Sequence, residues 1–540
     1  MKKYLLTATL LLLVGITASA YSFKTTNDGL CYDITGTSTV AVTFERNTDL
    51  NSSKASYENL GGDINIPETV YNGGKAYTVT AIKDYAFYLC NLLTGVSIPK
   101  TVKTIGVYAF WCSSRSHITS LTFAEGSELT EIGNWAFATT KITEVSIPNS
   151  VTTIGDYAFR FALLETANIP TSLQTMGAGV FSSTNLKSII IPSNLEEIPD
   201  YTFDGCRLLT NVVLPSTLKT IGQDAFRQTA LTSVNFPNSL TTIGSYAFRS
   251  SQLATLTIPS SVTTIGAVAF CDTQLTSVTI PSTVTSLGNE AFASSKKLKT
   301  VNIQNSIISR YEFSNCNNLK EVNIGAGVES IDLYSLFGCS SLETLNINSA
   351  MATDINQYFK EIKPTLKTVK IGNAVTAIPE NAFLDCAALE IITIPSTITS
   401  IGNSAFSGCT ALREFYSLMD RPITIDPSVR IKGQENAYKT IVQGAVGGAA
   451  GVVHASDSAH TDCEPNDNVE ALRVWLDQRA IEARPLWKPM HKQPVYQDAP
   501  AYVNGVSEAL FKVGMCLPSG PYVTDDDVRY IVECIKGAIE

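Results

Sequence analysis

The 540-residue sequence has little charge and no excess of basic residues. Charged side chains make up 16% of it, and 49 acidic against 39 basic residues leave a formal net charge of −10. A nucleic-acid partner requires a concentrated basic surface, so this composition argues against one. Ser, Thr and Asn supply the polar surface instead.

After its first 20 residues the chain has no apolar run long enough to cross a bilayer. Residues 1–20 combine Lys2 and Lys3, an apolar core over residues 5–16 and the small residues 18–20. This order predicts a cleaved secretory signal peptide and an extracellular or cell-surface location. A membrane anchor is the alternative, but the run is shorter than the roughly 20 residues that a spanning helix needs. No Cys follows the run, so a lipid anchor is not indicated.

The chain does contain a repeat of about 22 residues, seen in LTSVTIPSTVTSLGNEAF at residues 275–292. A fixed period in the twenties predicts a solenoid of stacked coils. Successive copies of the final Phe lie 21 to 27 residues apart, at Phe87, Phe110, Phe137, Phe159, Phe181, Phe203, Phe226, Phe248, Phe270, Phe292, Phe313, Phe337, Phe359, Phe383 and Phe406.

Within one repeat, apolar and polar residues alternate. Val278 and Ile280 alternate with Ser277 and Thr279, which predicts a strand with one buried face. The proline that follows cannot donate to a sheet ladder and ends the strand. A second extended piece ends at a glycine, and Phe292 begins a predicted short helical turn.

The pattern LxxVxIPxxVTxIGxxAFxxCxxL resembles the BspA-like leucine-rich repeats of bacterial surface proteins. The resemblance implies a β-rich solenoid of leucine-rich-repeat type, exported and often displayed on the surface. It also implies binding of an extracellular protein or glycan, as an adhesin would, without catalysis. We expect an N-terminal β cap at 21–74, the solenoid at 75–417 and a C-terminal cap at 418–440.

Most of the 12 cysteines follow the repeat. Equivalent positions in stacked coils lie about 4.7–4.9 Å apart, whereas a disulfide needs Cβ atoms about 3.5–4.5 Å apart. We therefore expect buried free thiols. Cys386 and Cys409, in adjacent coils, are the pair most able to contradict this expectation.

Outward strand positions form a ladder of short neutral polar side chains on the concave face. They carry no repeated Asp/Glu pair and no His or Cys cluster, so they show no sign of acid–base chemistry or a metal site. One interpretation is a flat binding surface for a protein or glycan. The alternative is that Thr suits strands and keeps an exposed sheet soluble. The candidate ligand-binding residues are Thr166, Asn168, Ser233, Asn235, Thr255, Thr257, Ser277, Thr279, Thr300 and Asn302.

Aromatic residues recur two positions before the Phe, and four successive ones are Tyr85, Tyr108, Trp135 and Tyr157. Tyr and Trp are enriched at binding surfaces, so these four residues could form a contact patch. The alternative is packing against the loop of the neighbouring coil.

The C-terminal region differs from the repeats. Residues 441–462 are rich in Gly, Ala and Ser and predict a flexible linker. Residues 463–540 predict a small α+β unit. Their motifs EARPLWKPMH and CLPSGPYVTDDDVRYIV resemble the C-terminal end of DegT-type sugar-nucleotide aminotransferases, which use pyridoxal phosphate. The resemblance would place Arg484, Lys488 and His491 near a substrate.

The large domain of that family, with its cofactor-binding lysine, would lie upstream, where repeats and a secretion signal stand instead. We therefore expect a non-catalytic fragment without a cofactor. A pyridoxal-phosphate-dependent aminotransferase is the alternative function. A third hypothesis is a purely structural surface-layer or spacer protein.

Overall fold

The computed structural model describes residues 21–45, 56–113, 116–350 and 353–412, together with the backbone of 414–417 and 451–454. The chain divides into two compact units. The first comprises Met1–Leu319 and Tyr334–Cys339, and the second comprises Lys320–Leu333 and Ser340–Glu540. In the described ranges, no helix has the length and apolar character required to cross a membrane. The predicted signal peptide lies outside these ranges.

The first unit begins with β-structure that packs on the first coil. Cys31–Ile34 and Thr39–Thr43 pair antiparallel, and Thr39–Thr43 then pairs parallel with Lys75–Ile82. The strands of this segment are Phe23–Lys24, Cys31–Ile34, Thr39–Thr43, Gly61–Asn65, Thr69–Asn72 and Lys75–Ile82.

Coils of the first unit contribute two rows of short parallel strands. Row A comes from the LxxVxIP segment, with strands Leu92–Ile98, Ser120–Phe123, Glu144–Val145, Thr166–Ala167, Ser188–Ile190, Asn211–Val213, Ser277–Ile280 and Thr300–Ile303. Row B comes from the VTxIG segment, with strands Thr104–Ile105, Glu131–Ile132, Thr153–Ile154, Thr175–Met176, Glu197–Ile198, Thr220–Ile221, Thr242–Ile243, Thr264–Ile265, Ser286–Leu287 and Ile307–Ile308. Where neighbouring strands of a row pair, they pair in register, so equivalent residues of successive coils face each other.

The core of the first unit is a column of stacked phenylalanine rings. From Phe87 to Phe313, successive centroids lie 4.8–5.9 Å apart and ring planes differ by 2–15°. Leu275, Val278 and Ile280 are at most 2% exposed, as the alternation predicted. The solenoid prediction is therefore confirmed, and each coil buries its apolar face against its neighbours.

The turn that carries each Phe is not helical, unlike the short helical turn expected. In most of these turns the residues two before and two after the Phe have positive φ, for example 56° at Tyr157 and 60° at Phe161. Alternate amides of the turn donate to the next coil: Phe159 N lies 3.0 Å from Val180 O, and Phe161 N lies 3.0 Å from Ser182 O. The turns thus form a third hydrogen-bonded ladder beside the two strand rows.

Two phenylalanines of the repeat series, Phe337 and Phe359, do not lie in the column, so the prediction is wrong at these positions. In the first unit, Phe313 N donates to Ser335 O, which places Leu336 in the column. Leu336 is buried, whereas Phe337 is 43% exposed. In the second unit, Ile355 N donates to Ala382 O, so Ile355 rather than Phe359 takes the equivalent position.

All nine cysteines that the structure describes are free thiols, including Cys386 and Cys409. Cys206 Sγ lies 3.1 Å from Phe181 O in the preceding coil. Burial raises the pKa of Cys206 to about 11. A buried thiol that stays protonated at neutral pH is a poor nucleophile, so this position is structural.

The second unit repeats the pattern with row A strands of four residues each. Its strands are Glu321–Ile324, Thr344–Ile347, Thr368–Ile371, Ile391–Ile394 and Glu414–Ser417 in row A, and Ser330–Ile331, Ala377–Ile378 and Ser400–Ile401 in row B. It also contains a short α-helix, Ile355–Tyr358, and a 3-10 helix, Lys360–Ile362. Within the predicted linker, Gly451–His454 forms a strand antiparallel to Glu414–Ser417.

Candidate functional site

The ten predicted outward residues lie in the LxxVxIP segments of the first unit, and we call them the polar strand surface. Ser233, Asn235, Thr255 and Thr257 lie in two coils whose LxxVxIP segments form no strand. Eight are exposed, while Thr300 and Asn302 are half-buried. Their neutral side chains offer hydrogen bonds but no charge.

Part of the polar strand surface is used within the fold. Asn168 Nδ2 donates to Ile147 O at 2.9 Å, and Asn168 Oδ1 accepts from Ile147 N at 2.6 Å. The side chain thereby extends the short Glu144–Val145 strand pairing. Between Asn168 and Asn235 the row exposes two paired apolar residues, Ile190 at 68% and Val213 at 48%. The polar ladder is therefore not continuous.

The four predicted aromatic residues stack on one another along the turns. Tyr85 and Tyr108 have centroids 5.4 Å apart with an 11° angle, Tyr108 and Trp135 are 5.9 Å apart with a 9° angle, and Trp135 and Tyr157 are 4.6 Å apart. All four are half-buried. Each ring therefore packs on the next coil and also reaches solvent, and the contact patch stays a prediction.

Hydrogen bonds between turns hold the backbone of these four residues at positive φ. The four residues have φ between 55° and 58°, which is uncommon for bulky side chains. Such a conformation costs about 1–3 kcal/mol and persists only where the surroundings fix it. The turn ladder supplies that restraint, since Tyr85 N donates to Val107 O at 2.9 Å and Tyr157 N donates to Ala178 O at 2.8 Å.

Four further residues, missed in the sequence, complete the surface. Trp111 stacks on Tyr88 at 5.1 Å with a 15° angle. Arg160 lies 5.0 Å from the Tyr157 ring and 4.6 Å from the ring of Phe161, which is 46% exposed. Tyr88 and Trp111 share a sequence signal, an aromatic residue directly after the Phe, whereas Arg160 and Phe161 have none. We call the complete set the aromatic turn surface: Tyr85, Tyr88, Tyr108, Trp111, Trp135, Tyr157, Arg160 and Phe161.

The aromatic turn surface ends where the next coil has glycine. A Cβ on Gly179 would lie 2.3 Å from Cε1 of Tyr157. The Tyr157 ring therefore occupies the space that a side chain at residue 179 would need.

The aromatic turn surface offers phenol hydroxyl groups, ring edges and one cation. Burial is the main cause that raises the pKa of Tyr85 and of Tyr88, so both phenols are neutral donors at pH 7. Arg160 adds one cation over aromatic faces, within the range of a cation–π contact. Across the part of the chain that the structure describes, no three His, Cys, Asp or Glu side chains are grouped to hold a metal ion.

The model of the BspA type leucine rich repeat region matches residues 80–208, 196–309 and 306–421, together more than half of the chain. The chain belongs to the BspA-type leucine-rich repeat family. A leucine-rich repeat protein from Bacteroides ovatus is 27% identical over 73% of this BspA-type chain and 94% of its own, with a TM-score of 0.47. A leucine rich cell surface protein from Faecalibacterium prausnitzii is 23% identical over 76% and 96%, with a TM-score of 0.37.

A second family model, of DegT/DnrJ/EryC1/StrS aminotransferases, matches residues 439–536 of this BspA-type protein. EpsN of Bacillus subtilis, named as a pyridoxal phosphate-dependent aminotransferase, is 45% identical over 64 residues. The chain spans only 16% of the length of that relative. Arg484, Lys488 and His491 fall within the family match and outside the described residues.

Proposed function

We propose that this BspA-type protein is an exported, non-catalytic scaffold that binds an extracellular protein, as a surface adhesin does. The observation that carries the proposal is the aromatic turn surface, on which eight side chains are ordered by a hydrogen-bonded stack of coils. Tyr, Trp and Arg dominate the energetics of protein interfaces. Residues 1–20 support export, and the acidic net charge argues against nucleic acid.

Ring geometry favours a protein over a glycan. Sugars stack on open ring faces, but the facing sides of successive rings in the Tyr85–Tyr157 row lie against each other, and the far side of Tyr157 lies against Gly179. Edges and hydroxyl groups are left for the partner, and they suit protein side chains and backbone.

A binding screen tests the proposed function. The full mature chain would be measured against extracellular-matrix proteins and a glycan array. Saturable binding to one or more proteins supports the proposal. Binding to glycans alone would replace the proposed partner class, and no saturable binding would favour a structural spacer.

Removing the two outer rings should weaken partner binding with little effect on folding. In a Trp111→Ala, Phe161→Ala double variant we expect at least a tenfold rise in Kd, because truncated hot-spot residues cost about 2 kcal/mol or more. The four-ring row remains intact. Interferometry against the partner from the screen measures the change.

The matched control acts on the polar strand surface. Ser277→Ala with Thr279→Ala removes two exposed hydroxyl groups of row A. We expect its Kd to stay within about threefold of the parent, since these residues lie outside the proposed interface. The opposite result for the two variants would move the binding site to row A.

The aminotransferase alternative has its own test. The solenoid would need no cofactor, so added pyridoxal phosphate should leave no visible absorbance band after dialysis. A retained band removed by borohydride would support a Schiff base with a lysine of this chain and the aminotransferase function.

A further inference from the structure

The coil that ends at Phe313 carries polar residues at core positions. Compared with the coil ending at Phe292, the replacements at equal distances from the Phe are Asn305 for Val284, Ser309 for Gly288 and Glu312 for Ala291. The Glu312 position holds Ala in most other coils of the first unit. Glu312 occupies the same position in the turn ladder as the Ala of other coils, because Phe292 N donates to the Glu312 carbonyl oxygen at 3.1 Å.

Glu312 is buried without a partner. Its exposure is 0%, and neither carboxyl oxygen has a hydrogen-bond partner. The hydroxyl of Ser335, at the same position of the next coil, and Asn305 Oδ1 are also buried and unpartnered. By contrast, the Ser309 hydroxyl donates to Leu287 O at 2.7 Å. Three residues in two successive coils therefore have buried polar atoms without a hydrogen-bond partner.

No charge near Glu312 offsets its burial. Within three residues of Phe292, Phe313 and Leu336, the other titratable and charged side chains are Glu290, Arg310, Tyr311, Cys316, Tyr334 and Cys339. The Arg310 guanidinium lies over the rings of Tyr311 and Tyr334, at 5.1 and 5.4 Å. Burial alone raises the pKa of Glu312 well above its ordinary value of 4.5.

We propose that the coil ending at Phe313 is a proton-controlled weak point of the first unit. With the Glu312 carboxyl protonated the coil stays closed, and ionisation of that carboxyl opens it locally. A carboxylate in an apolar core is strongly disfavoured, and local opening returns it to water. The proposal is independent of the proposed binding function, because it concerns only folding of this coil.

The sign of the pH dependence follows from the raised pKa. The closed coil keeps its proton to a higher pH than the open coil does. Stability from this group is therefore complete below pH 4.5 and is lost as the pH rises through the pKa of the closed state. Between those limits the opening constant should rise by up to about tenfold per pH unit.

Amide hydrogen exchange on the full mature chain tests this proposal. The parent and a Glu312→Gln variant would be compared at each pH from 4 to 8, so that the intrinsic pH dependence of exchange cancels. In peptides from residues 298–319 we expect the parent-to-variant ratio of exchange rates to rise with pH by at least tenfold in total. Peptides from residues 220–244 should keep a ratio near one.

Two variants secure the interpretation. Glu290→Gln removes an exposed carboxylate from the preceding coil and should leave the ratio unchanged. Glu312→Ala installs the residue found at Ala291 and should reproduce the Gln result. A ratio that does not vary with pH, or that varies equally in residues 220–244, would overturn the proposal.

Discussion

Replacing Phe248 with alanine should lower the free energy of unfolding by about 3–5 kcal/mol, the usual cost of truncating a buried Phe. The side chain is 0% exposed. Its ring stacks on Phe226 at 5.2 Å and on Phe270 at 5.4 Å, and Phe236 contacts its edge at 5.6 Å. Loss of the ring would leave a cavity shared by three coils. Because each coil is stable only against its neighbours, the loss should spread to both sides.

Chemical denaturation of the parent and variant measures this effect. Phe337→Ala is the matched control, since it makes the same change on a ring that is 43% exposed. We expect the control to cost less than about 1 kcal/mol, as for other surface substitutions. Equal losses in the two variants would contradict the assignment of Phe248 to the core and of Phe337 to the surface.

Replacing Arg227 with methionine should lower the free energy of unfolding at pH 7 by about 2–3 kcal/mol. Arg227 Nε and a terminal amino group donate to the Asp204 carboxylate at 2.7 and 3.0 Å. Nε also lies 3.1 Å from Asp224 Oδ1, an ion pair without hydrogen-bond geometry. Asp204 and Asp224 are only 8% and 5% exposed, so the variant removes the Arg227 cation from two buried carboxylates. Asp224 Oδ2 would keep only the hydrogen bond from Gln223 Nε2, at 3.2 Å. Such a loss costs about 3–5 kcal/mol, which we reduce because the Arg227 side chain is 34% exposed.

The same variant should show a dependence on pH. Burial raises the pKa of Asp224, and Arg227 is one of the groups that lower it, so removing Arg227 raises this pKa further. The loss should therefore be smaller at pH 4, where more of this carboxyl is protonated in the folded state. Arg207→Met is the matched control, because Arg207 is exposed and contacts Gln228 at 3.4 Å. A pH-independent loss, or an equal loss in the control, would contradict this account.

The core could be predicted from the sequence because its period determines it. Alternation at Val278 and Ile280 indicated the buried strand face, and the spacing of the Phe residues indicated the stacked column. The assignment of residues to the column was wrong where the spacing of the Phe residues disagrees with the hydrogen bonds between coils. Leu336 and Phe337 are adjacent apolar residues, and only the hydrogen bonds between coils show which one enters the column. Around Phe359 a short helix changes the register of the coil.

The surface was harder to predict than the core. The row from Tyr85 to Tyr157 could be found by counting back from the Phe, and Tyr88 and Trp111 by counting one residue forward. Phe161 could not, because its exposure depends on the positive φ of Tyr157 and of Phe161 itself, which no periodicity reveals. Glu312 escaped notice for a different reason: a single acidic residue has no pattern, and only its burial makes it unusual.

The most direct test of the central claim is a map of the partner-binding site in solution. Amide hydrogen exchange of the full mature chain would be measured with and without a protein identified in the binding screen. If the aromatic turn surface is the binding site, protection should concentrate in the turns at residues 85–89, 108–111, 135–139 and 157–161. Protection centred on the row A residues 277–303, with those four turns unchanged, would contradict it.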